Sequence, residues 1–361
     1  MAIFAPMASN SIGEILRLTT FGESHGSSIG GILDGVPAGL ELDSNKLKIA
    51  LQRRRPGQSS LTTQRKEKDE FQLLSGLIDG RTTGAPIGFR IDNQDQRSKD
   101  YDALKDIYRP SHADQTYEQK YGLRDHRGGG RSSARETANW VLAGAIAAQL
   151  LPKEVRINAW VDQVGSIRSY KQWMDLDLES VDKRAVRCPD KEAAEQMEVA
   201  IAQARDSGDS LGGAIRCVVT ALPAGLGAPV FDKLPERLGA ALLSLNAVKG
   251  IEFGSGFAAA AMRGSEHNDS FDENGQPLSN HAGGTLGGIS TGQPLLFRMA
   301  FKPTATIGKP QQTINKKGEP VTLAAKGRHD PCVVPRAVPI VEALTAFVLA
   351  DLFLQSRNDR I

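Results

Sequence analysis

The chain has 361 residues, of which 40% are hydrophobic and 24% charged, as in an ordinary globular protein of one large or two average domains. A net charge of +2 gives no global reason to expect nucleic acid or a membrane surface as a partner. The three cysteines, Cys188, Cys217 and Cys332, lack regular spacing, which argues against a disulfide scaffold and favours a reducing compartment. Neither C-x-x-C nor H-x-x-x-H occurs, so the sequence supports no metal site. The segment 1–10 has no basic residue and is a poor signal peptide.

Hydrophobic periodicity and turn residues predict a mixed order of strands and helices. Strands are expected at 14–20, 28–34, 86–92, 213–221, 251–258 and 294–301. Helices are expected at 43–54, 132–151, 190–207, 231–244 and 336–356. The last helix is apolar nearly all round and should be buried, and its apolar run 339–354 is too short and too charged to span a bilayer. These elements predict an α+β fold, a β-α-β sandwich with central buried helices between mostly antiparallel sheets.

Two parts of the chain repeat one pattern. Residues 80–90 and 288–298 share G-x-[ST]-T-G-x-P-[IL]-x-F-R, in which the Gly, Thr and Pro residues mark a turn into a strand. Pro-Ala-Gly-Leu precedes each copy, at 37–40 and at 223–226. Chance similarity is an alternative for any single match, but the order of the matches indicates an internal repeat.

The repeat predicts one domain, 1–361, built from two similar halves at about 10–150 and 205–355 with pseudo-two-fold symmetry. A Gly-Gly pair precedes each Pro-Ala-Gly-Leu, at 30–31 and at 212–213, and we expect these pairs to correspond. A polar loop and a long apolar segment follow each copy. The Gly-, Asn- and Asp-rich stretch near 263–286 is typical of a long surface or lid loop.

Three glycines at 128–130 precede the expected helix in which Ser133 and Glu136 would form a capping box. Converging backbone N–H groups and the helix dipole attract an anion at such a place, and Arg131 and Arg135 add forked donors. The run matches neither the P-loop nor the dinucleotide fingerprint. It therefore predicts an anion site, the alternative being a flexible turn with a good cap.

A histidine stands between glycines in Gly-Glu-Ser-His-Gly at 22–26. Imidazoles ordinarily titrate near neutral pH, so His25 is suited to proton transfer, the alternative being a solvated turn residue. Ser24 is a poor candidate nucleophile because adjacent side chains on a strand face opposite ways and G-x-S-x-G is not met. A second histidine, His112, follows Arg109 in another polar loop.

Basic residues mark three further places. Arginines 53–55 end an expected helix, where the helix dipole alone would favour them, or one of them points into an anion site. Lysine and threonine in 302–304 lie at a strand end, which is typical of anion contact. In the run 328–332, Asp330 beside arginine is a plausible proton acceptor, and Cys332 has no activation signature for a nucleophile.

These motifs, in this order, closely resemble those of the chorismate synthase family, over nearly the whole chain. The matching segments are T-T-F-G-E-S-H-G at 19–26, R-R-R-P-G at 53–57, H-A-D at 112–114, Y-G-L-R-D-H-R-G-G-G-R-S-S-A-R-E-T-A at 121–138, G-G-I-S-T-G-Q-P at 287–294, K-P-T at 302–304 and R-H-D-P-C at 328–332. The resemblance implies a lyase of the shikimate pathway, which supplies aromatic amino acid biosynthesis. Such an enzyme eliminates phosphate from 5-enolpyruvylshikimate 3-phosphate, in an anti-1,4 sense, to give chorismate. It also implies reduced FMN, which lends an electron transiently and takes up a proton at N5 without net redox change.

The resemblance implies residue roles as well. His25 would protonate or stabilise the departing phosphate, His112 would lie near the flavin N1–C2=O region, and Asp330 would help to remove the ring proton. The implied flavin-binding residues are Arg131, Ser132, Ser133, Asn246, Ala247, Gly287, Lys302, Pro303, Thr304, Ala305, Thr306 and Arg328. The implied substrate-binding residues are Ser24, Arg54, Arg135 and Arg336.

The family resemblance further implies a cytoplasmic homotetramer. The chain has no counterpart of the insert found in members that reduce their own flavin with NADPH. We therefore expect an external flavin reductase, with NADPH as an indirect reductant. Two departures are Ser59–Leu61, where members often carry Arg or Lys, and Met1–Pro6, which we expect to be an extension or an upstream start.

Two alternative functions, each from another class of protein, stay open. One is an NAD(P)H-dependent flavin reductase, which would oxidise nicotinamide cofactor on its own. The other is a nucleic-acid-binding module that uses the arginine runs, against which the net charge of +2 and the lack of interleaved aromatic residues speak.

Overall fold

The computed structural model describes residues 9–57, 67–94, 104–324, 330–357 and 359. Within them, the strands are β1 (Ser11–Ile12), β2 (Arg17–Gly22), β3 (Ser28–Asp34), β4 (Phe71–Leu73), β5 (Leu77–Ile78), β6 (Arg81–Thr82), β7 (Ile87–Asp92), β8 (Arg156–Val164), β9 (Ile167–Arg168), β10 (Gly213–Thr220), β11 (Val248–Phe253), β12 (Thr285–Leu286), β13 (Ile289–Ser290), β14 (Leu295–Phe301), β15 (Gln311–Ile314) and β16 (Pro320–Leu323). The α-helices are α1 (Ser44–Arg54), α2 (Asp114–Tyr121), α3 (Thr137–Ala147), α4 (Lys191–Asp206), α5 (Leu234–Leu243), α6 (Gly264–His267) and α7 (Val334–Ser356). Three expectations lie outside the described residues: the extension or upstream start at Met1–Pro6, the departure at Ser59–Leu61 and the role of Arg328.

Two five-stranded antiparallel sheets enclose a layer of helices. The first sheet has the order β1-β2-β3-β7-β4, and the second has the order β11-β14-β10-β8-β9. Helix α3 packs against β3 of the first sheet, and α7 packs against β8 and β10 of the second. Helices α3 and α7 also contact each other, α1 packs on both, and α5 packs on α7. The expected β-α-β sandwich with central helices is confirmed.

The two central helices touch at a glycine. A Cβ atom on Gly144 of α3 would lie 2.3 Å from the carbonyl oxygen of Ala343 in α7, far inside van der Waals contact. Only glycine therefore permits the backbones to approach this closely. The alanine-rich sequence of α3 serves the same close packing.

Helix α7 is the core of the sandwich. Among the residues described, it is the one helix long and apolar enough to cross a membrane by length and composition, with a mean hydropathy of 2.0. Within that apolar window, 89% of the helix is buried inside the protein. The expected burial is confirmed, whereas the argument that the run 339–354 is too short and too charged to span a bilayer is wrong.

Asp351 in α7 binds the segment 14–16, which precedes β2. The carboxylate of Asp351, 2% exposed, accepts hydrogen bonds from the backbone N–H groups of Glu14, Ile15 and Leu16 at 2.9–3.0 Å. It also accepts one from Arg237 of α5 at 3.1 Å. A buried carboxylate with four donors holds the entry to β2 against the last helix.

The repeated segments make the same hydrogen bonds. In the first half, the Thr82 hydroxyl donates to the carbonyl of Pro37 at 2.6 Å and accepts from the N–H of Leu40 at 2.9 Å. In the second half, the Ser290 hydroxyl makes the same two bonds, at 2.6 and 2.9 Å, to the proline and leucine of the second Pro-Ala-Gly-Leu segment. The shared sequence pattern thus encodes one local structure twice.

The Gly-Gly pairs, in contrast, do not correspond. Gly30 faces Arg90 across β3 and β7, whereas the residue that faces the equivalent Arg298 is Arg216. The pair at 212–213 lies at the other end of β10, where a Cβ on Gly213 would meet backbone atoms of β8. The expectation that these pairs are equivalent is wrong because each satisfies a different close contact.

Most expected elements are confirmed, with shifted ends. The expected strand 251–258 is displaced to β11, and a 3₁₀ segment, Gly256–Ala261, follows it. The expected helix 132–151 is reduced to α3, because 3₁₀ turns occupy both of its ends. The segment 263–286 contains the short α6 and ends in β12.

Candidate active site

His25 lies in the turn between β2 and β3 and is only 8% exposed, so the solvated alternative is wrong. Its ring packs on Gly128. A Cβ atom there would lie 2.7 Å from Cδ2 and 2.9 Å from Nε2 of the imidazole. Gly128 also has a φ of +86°, which favours glycine. The His25 turn and the glycine-rich loop, a hundred residues apart in the chain, therefore form one surface.

Ser24 places a buried hydroxyl at the same contact. Its side chain is 2% exposed, and its Oγ has no hydrogen-bond partner among the described residues. Its backbone N–H donates to the carbonyl of Gly130 at 3.3 Å. A buried hydroxyl without a partner is costly, and it is therefore a candidate contact for a bound ligand.

Arg131 fixes the glycine-rich loop against the first sheet. Its guanidinium donates to the carbonyl of Gly22 at 3.2 Å, to Thr20 Oγ1 at 2.9 Å and to Asn10 Oδ1 at 3.0 Å. These acceptors lie at or before the start of the His25 turn. The side chain of Arg131 thus holds the two motifs together.

The expected capping box is not formed. Ser133 does accept a hydrogen bond, at 3.3 Å, but from Arg135 N at the start of a 3₁₀ turn. The Glu136 carboxylate turns away to Arg131 at 2.8 Å and to Asn139 at 3.1 Å. Burial raises the pKa of Glu136 despite the nearby guanidinium. The capping box is wrong because the arginine competes for the glutamate.

Arg54 and Arg135 share a carboxylate that the sequence did not single out. Arg54 Nη1 donates to Asp69 Oδ2 at 2.9 Å, and Arg135 Nη1 donates to Asp69 Oδ1. Burial would raise the pKa of Asp69, but the attraction and hydrogen bonds of the two arginines hold it below its ordinary value. Asp69 has a φ of +51°, uncommon for an aspartate, as is found at functional sites.

Arg336 brings Asp330 to the same cluster. It lies in the first turn of α7 and donates to Asp330 Oδ2 at 2.5 Å. Burial lowers the pKa of Arg54 to about 10, and repulsion from Arg135 and Arg336 contributes to that shift. Among the described residues, three arginines thus stand against two carboxylates, Asp69 and Asp330, which leaves one positive charge in excess for an anionic ligand.

A second group of expected residues surrounds His112. Its Nε2 lies 2.5 Å from Thr306 Oγ1. Lys302 Nζ donates to the carbonyl of Ser111 at 3.1 Å, so the K-P-T segment and the histidine loop are in contact. Burial lowers the pKa of Lys302, and Lys249 nearby lowers it further.

Asn246 connects this group to the glycine-rich loop. Its Nδ2 donates to the carbonyl of Ser132 at 2.8 Å, and the neighbouring Ala247 accepts from the N–H of Lys302 at 2.9 Å. Thr304, between Pro303 and Ala305, has a buried Oγ1 without a partner among the described residues. Gly287 lies apart from these hydrogen bonds, in the turn between β12 and β13.

An acid at the start of α2 joins the two histidine loops. Asp114 pairs with Arg109 at 2.7 Å and with Arg124 at 3.0 Å, all three side chains being buried. Burial would raise the pKa of Asp114, but Arg109 and then Arg124 lower it below its ordinary value. Arg109 also donates to the carbonyl of Gly128, the glycine under His25.

Cys332 is not a nucleophile in this arrangement. It is fully buried, and burial raises the pKa of its thiol to about 12. The thiolate is the reactive form of cysteine, so almost none is present at neutral pH. Among the described residues, no group of three or more His, Cys, Asp or Glu residues could hold a metal ion.

Three comparisons with known proteins agree. The family model described as "Chorismate synthase" matches residues 16–354. The chain is 57% identical to the chorismate synthase of Christiangramia forsetii, over 98% of this chain and 100% of that protein. It is 55% identical to that of Flavobacterium psychrophilum, over 97% and 99% of the two chains. A solved structure, "Crystal Structure of Chorismate Synthase", is 30% identical with a TM-score of 0.75 and covers 95% of this chain and 93% of that one.

Proposed function

The chain belongs to the chorismate synthase family of shikimate-pathway lyases, and from this premise we propose that it eliminates phosphate from 5-enolpyruvylshikimate 3-phosphate with the help of reduced FMN. The elimination is anti-1,4, gives chorismate and involves no net redox change. The observation that carries this proposal is the cluster of three buried or half-buried arginines, whose two carboxylates leave a positive charge unmatched. A substrate with one phosphate and two carboxylates suits such a site without a metal.

The proposed substrate residues are Ser24, Arg54, Arg135 and Arg336. Arg54 and Arg135 are already oriented by Asp69, so little side-chain entropy is lost when an anion binds. The unpartnered hydroxyl of Ser24 lies beside the His25 ring and would donate to a phosphate oxygen. Each of these groups would thereby lie within reach of the substrate's anionic ends.

The proposed proton chemistry uses three residues. His25 donates a proton to the oxygen of the departing phosphate, and Asp330 helps to take the proton that the ring loses. Together these transfers balance the elimination of one proton and one phosphate from the ring. His112, held by Thr306, keeps its imidazole towards the flavin site.

The residues around His112 fit a flavin. Thr304 offers a buried hydroxyl without a partner, and Lys302 offers a cation whose charge would neutralise an anionic group. When bound, reduced FMN supplies the electron density that eases cleavage of the carbon–oxygen bond to phosphate. The residues proposed to hold it are Arg131, Ser132, Ser133, Asn246, Ala247, Gly287, Lys302, Pro303, Thr304, Ala305, Thr306 and Arg328. The side chain of Arg131 donates to acceptors on four residues, so it would act by shaping the loop.

We also propose the wider setting of this enzyme. It would form one domain of two similar halves, at about 10–150 and 205–355, which the duplicated Thr82 and Ser290 contacts support. It would act as a cytoplasmic homotetramer, and an external reductase, with NADPH as the ultimate donor, would supply the reduced flavin.

An anaerobic assay tests the function. The protein is mixed with reduced FMN and 5-enolpyruvylshikimate 3-phosphate, and chorismate absorbance and free phosphate are followed together. We expect both to appear at equal rates, and neither without reduced flavin. Oxidation of NAD(P)H by the protein with FMN, but no chorismate, would instead establish the flavin-reductase alternative.

A further inference from the structure

Asn93, directly after β7, connects the His25 turn to Arg135. Its Nδ2 donates to the carbonyl of Glu23 at 3.0 Å and to that of Gly26 at 2.8 Å. Its Oδ1 accepts from Arg135 Nε at 2.8 Å. The reversed amide would set its NH₂ group against a guanidinium donor and its oxygen against two carbonyls, so only one orientation satisfies all three partners.

These contacts bracket His25 in the chain. The turn closes on itself through one hydrogen bond, from Gly26 N to the carbonyl of Glu23 at 3.1 Å. The side-chain amide of Asn93 donates to the carbonyls of both residues that this bond joins. The backbone N–H of Asn93 donates to the carbonyl of Ser27 at 3.0 Å. The backbone that carries the imidazole is therefore held by Asn93, and the imidazole ring itself packs on Gly128.

The same amide orients the guanidinium of Arg135. Its Nη1 donates to Asp69, its Nε donates to Asn93, and its Nη2 donates to the carbonyl of Asp92 at 3.3 Å, so acceptors on two segments set the plane of the group. A small movement of Asn93 would displace both the imidazole and the guanidinium. No other side chain described here makes hydrogen bonds to both the His25 turn and Arg135.

We propose that Asn93 is a positioning residue, which sets the distance between the His25 imidazole and the Arg135 guanidinium so that one departing phosphate meets both. This inference rests on the proposed function. Positioning of this kind matters because a displacement of about 1 Å at a reacting group can cost roughly 10²-fold in rate.

The test compares two variants. Asn93→Asp keeps an acceptor for Arg135 but sets a carboxylate oxygen against the carbonyls of Glu23 and Gly26. We expect kcat to fall by roughly 10- to 100-fold, with a smaller change in KM. Asn45→Asp, an exposed amide at the start of α1, is the matched control and should leave kcat unchanged.

A double variant separates positioning from general damage. In the His25→Asn background, Asn93→Asp should lower kcat by clearly less than it does in the unmodified protein, since one of the two groups that it positions is already gone. If its effect multiplies with that of His25→Asn, Asn93 acts on the fold as a whole and the inference is overturned. A wild-type kcat in Asn93→Asp overturns it as well.

A measurement that does not depend on turnover tests the role of Asn93 separately from the proposed function. Amide hydrogen exchange at 22–28 should be faster in Asn93→Asp by about tenfold or more, because the turn loses two of its hydrogen bonds. If the unmodified protein forms no chorismate, the proposed function fails, and exchange alone then decides whether Asn93 fixes the turn. Unchanged exchange in the variant overturns that role whatever the activity.

Discussion

Arg54 donates to the carboxylate of Asp69 at 2.9 Å, and the side chains of both residues are almost fully buried, at 2% and 0% exposed. Arg135 occupies the other oxygen of the same carboxylate. Two cations that we assign to substrate binding are thus held in place by one anion of the protein. Their arrangement does not depend on a ligand, but it does depend on Asp69.

We predict that Asp69→Asn destabilises the folded protein by about 3–5 kcal/mol, because two buried guanidinium groups lose their counter-charge. Chemical denaturation measures this as a lower midpoint. The control is Asp92→Asn, which removes the exposed partner of Arg90 and should change little. Equal midpoints for the two variants would show that the buried pair contributes no more than the exposed one.

At acidic pH, the free energy of unfolding should depend on the protonation of the Asp69 carboxyl group. Its pKa is lower in the folded protein than in the unfolded chain, so its contribution is complete above the ordinary value of about 3.9 and is lost as pH falls through the folded value. Below about pH 4, the free energy of unfolding should therefore fall less steeply in Asp69→Asn than in the unmodified protein. Parallel curves for the two proteins would contradict the lowered pKa.

His25→Ala and His112→Ala should each slow chorismate formation by roughly 10²-fold or more, the scale of lost acid–base assistance. Melting temperature, measured alongside, shows whether each variant is folded. His267→Ala is the control, because its ring lies against that of His281 and we give it no role. Near-normal rates in both variants would remove the proton-transfer roles from these histidines.

The contact between the central helices predicts opposite outcomes for two glycines. Gly144→Ala should destabilise by about 1–3 kcal/mol, because its Cβ would press on the Ala343 carbonyl and move α3 from α7. Gly239→Ala in α5 meets nothing within 4 Å and should stabilise by up to about 1 kcal/mol through helix propensity. Thermal unfolding of the two variants decides this, and shifts of the same sign would contradict the packing argument.

Elements with a clear periodicity could be predicted closely. Strand β3 lies where the alternation placed it, and the apolar helix near the C-terminus is buried as expected. Strand β8, the longest in the described chain, escaped prediction although its apolar residues Ile157, Ala159 and Val161 alternate along the chain; its four successive residues from 159 to 162 are all buried. Tertiary covering of both faces there overrides the local pattern.

The candidate site was predictable where polar and glycine residues crowd together in the sequence. Such crowding marked the His25 turn, the 128–136 loop and Asp330. Asp69 escaped prediction because it lies within a run of six charged residues, 65–70, that resembles a solvated surface. Asn93 escaped because one strand-end amide has no distinctive local pattern, although its position directly after a repeat strand was a usable signal.

The carboxylate that holds Leu16 belongs to Asp351, 335 residues further along the chain. At a synthesis rate of about 5–20 residues per second, the acid is made roughly 15–70 s after the backbone groups that it binds. The segment that leads into β2 and the His25 turn therefore leaves the ribosome well before its last anchor exists. Full order in this part of the molecule therefore has to wait until the last helix has been synthesised.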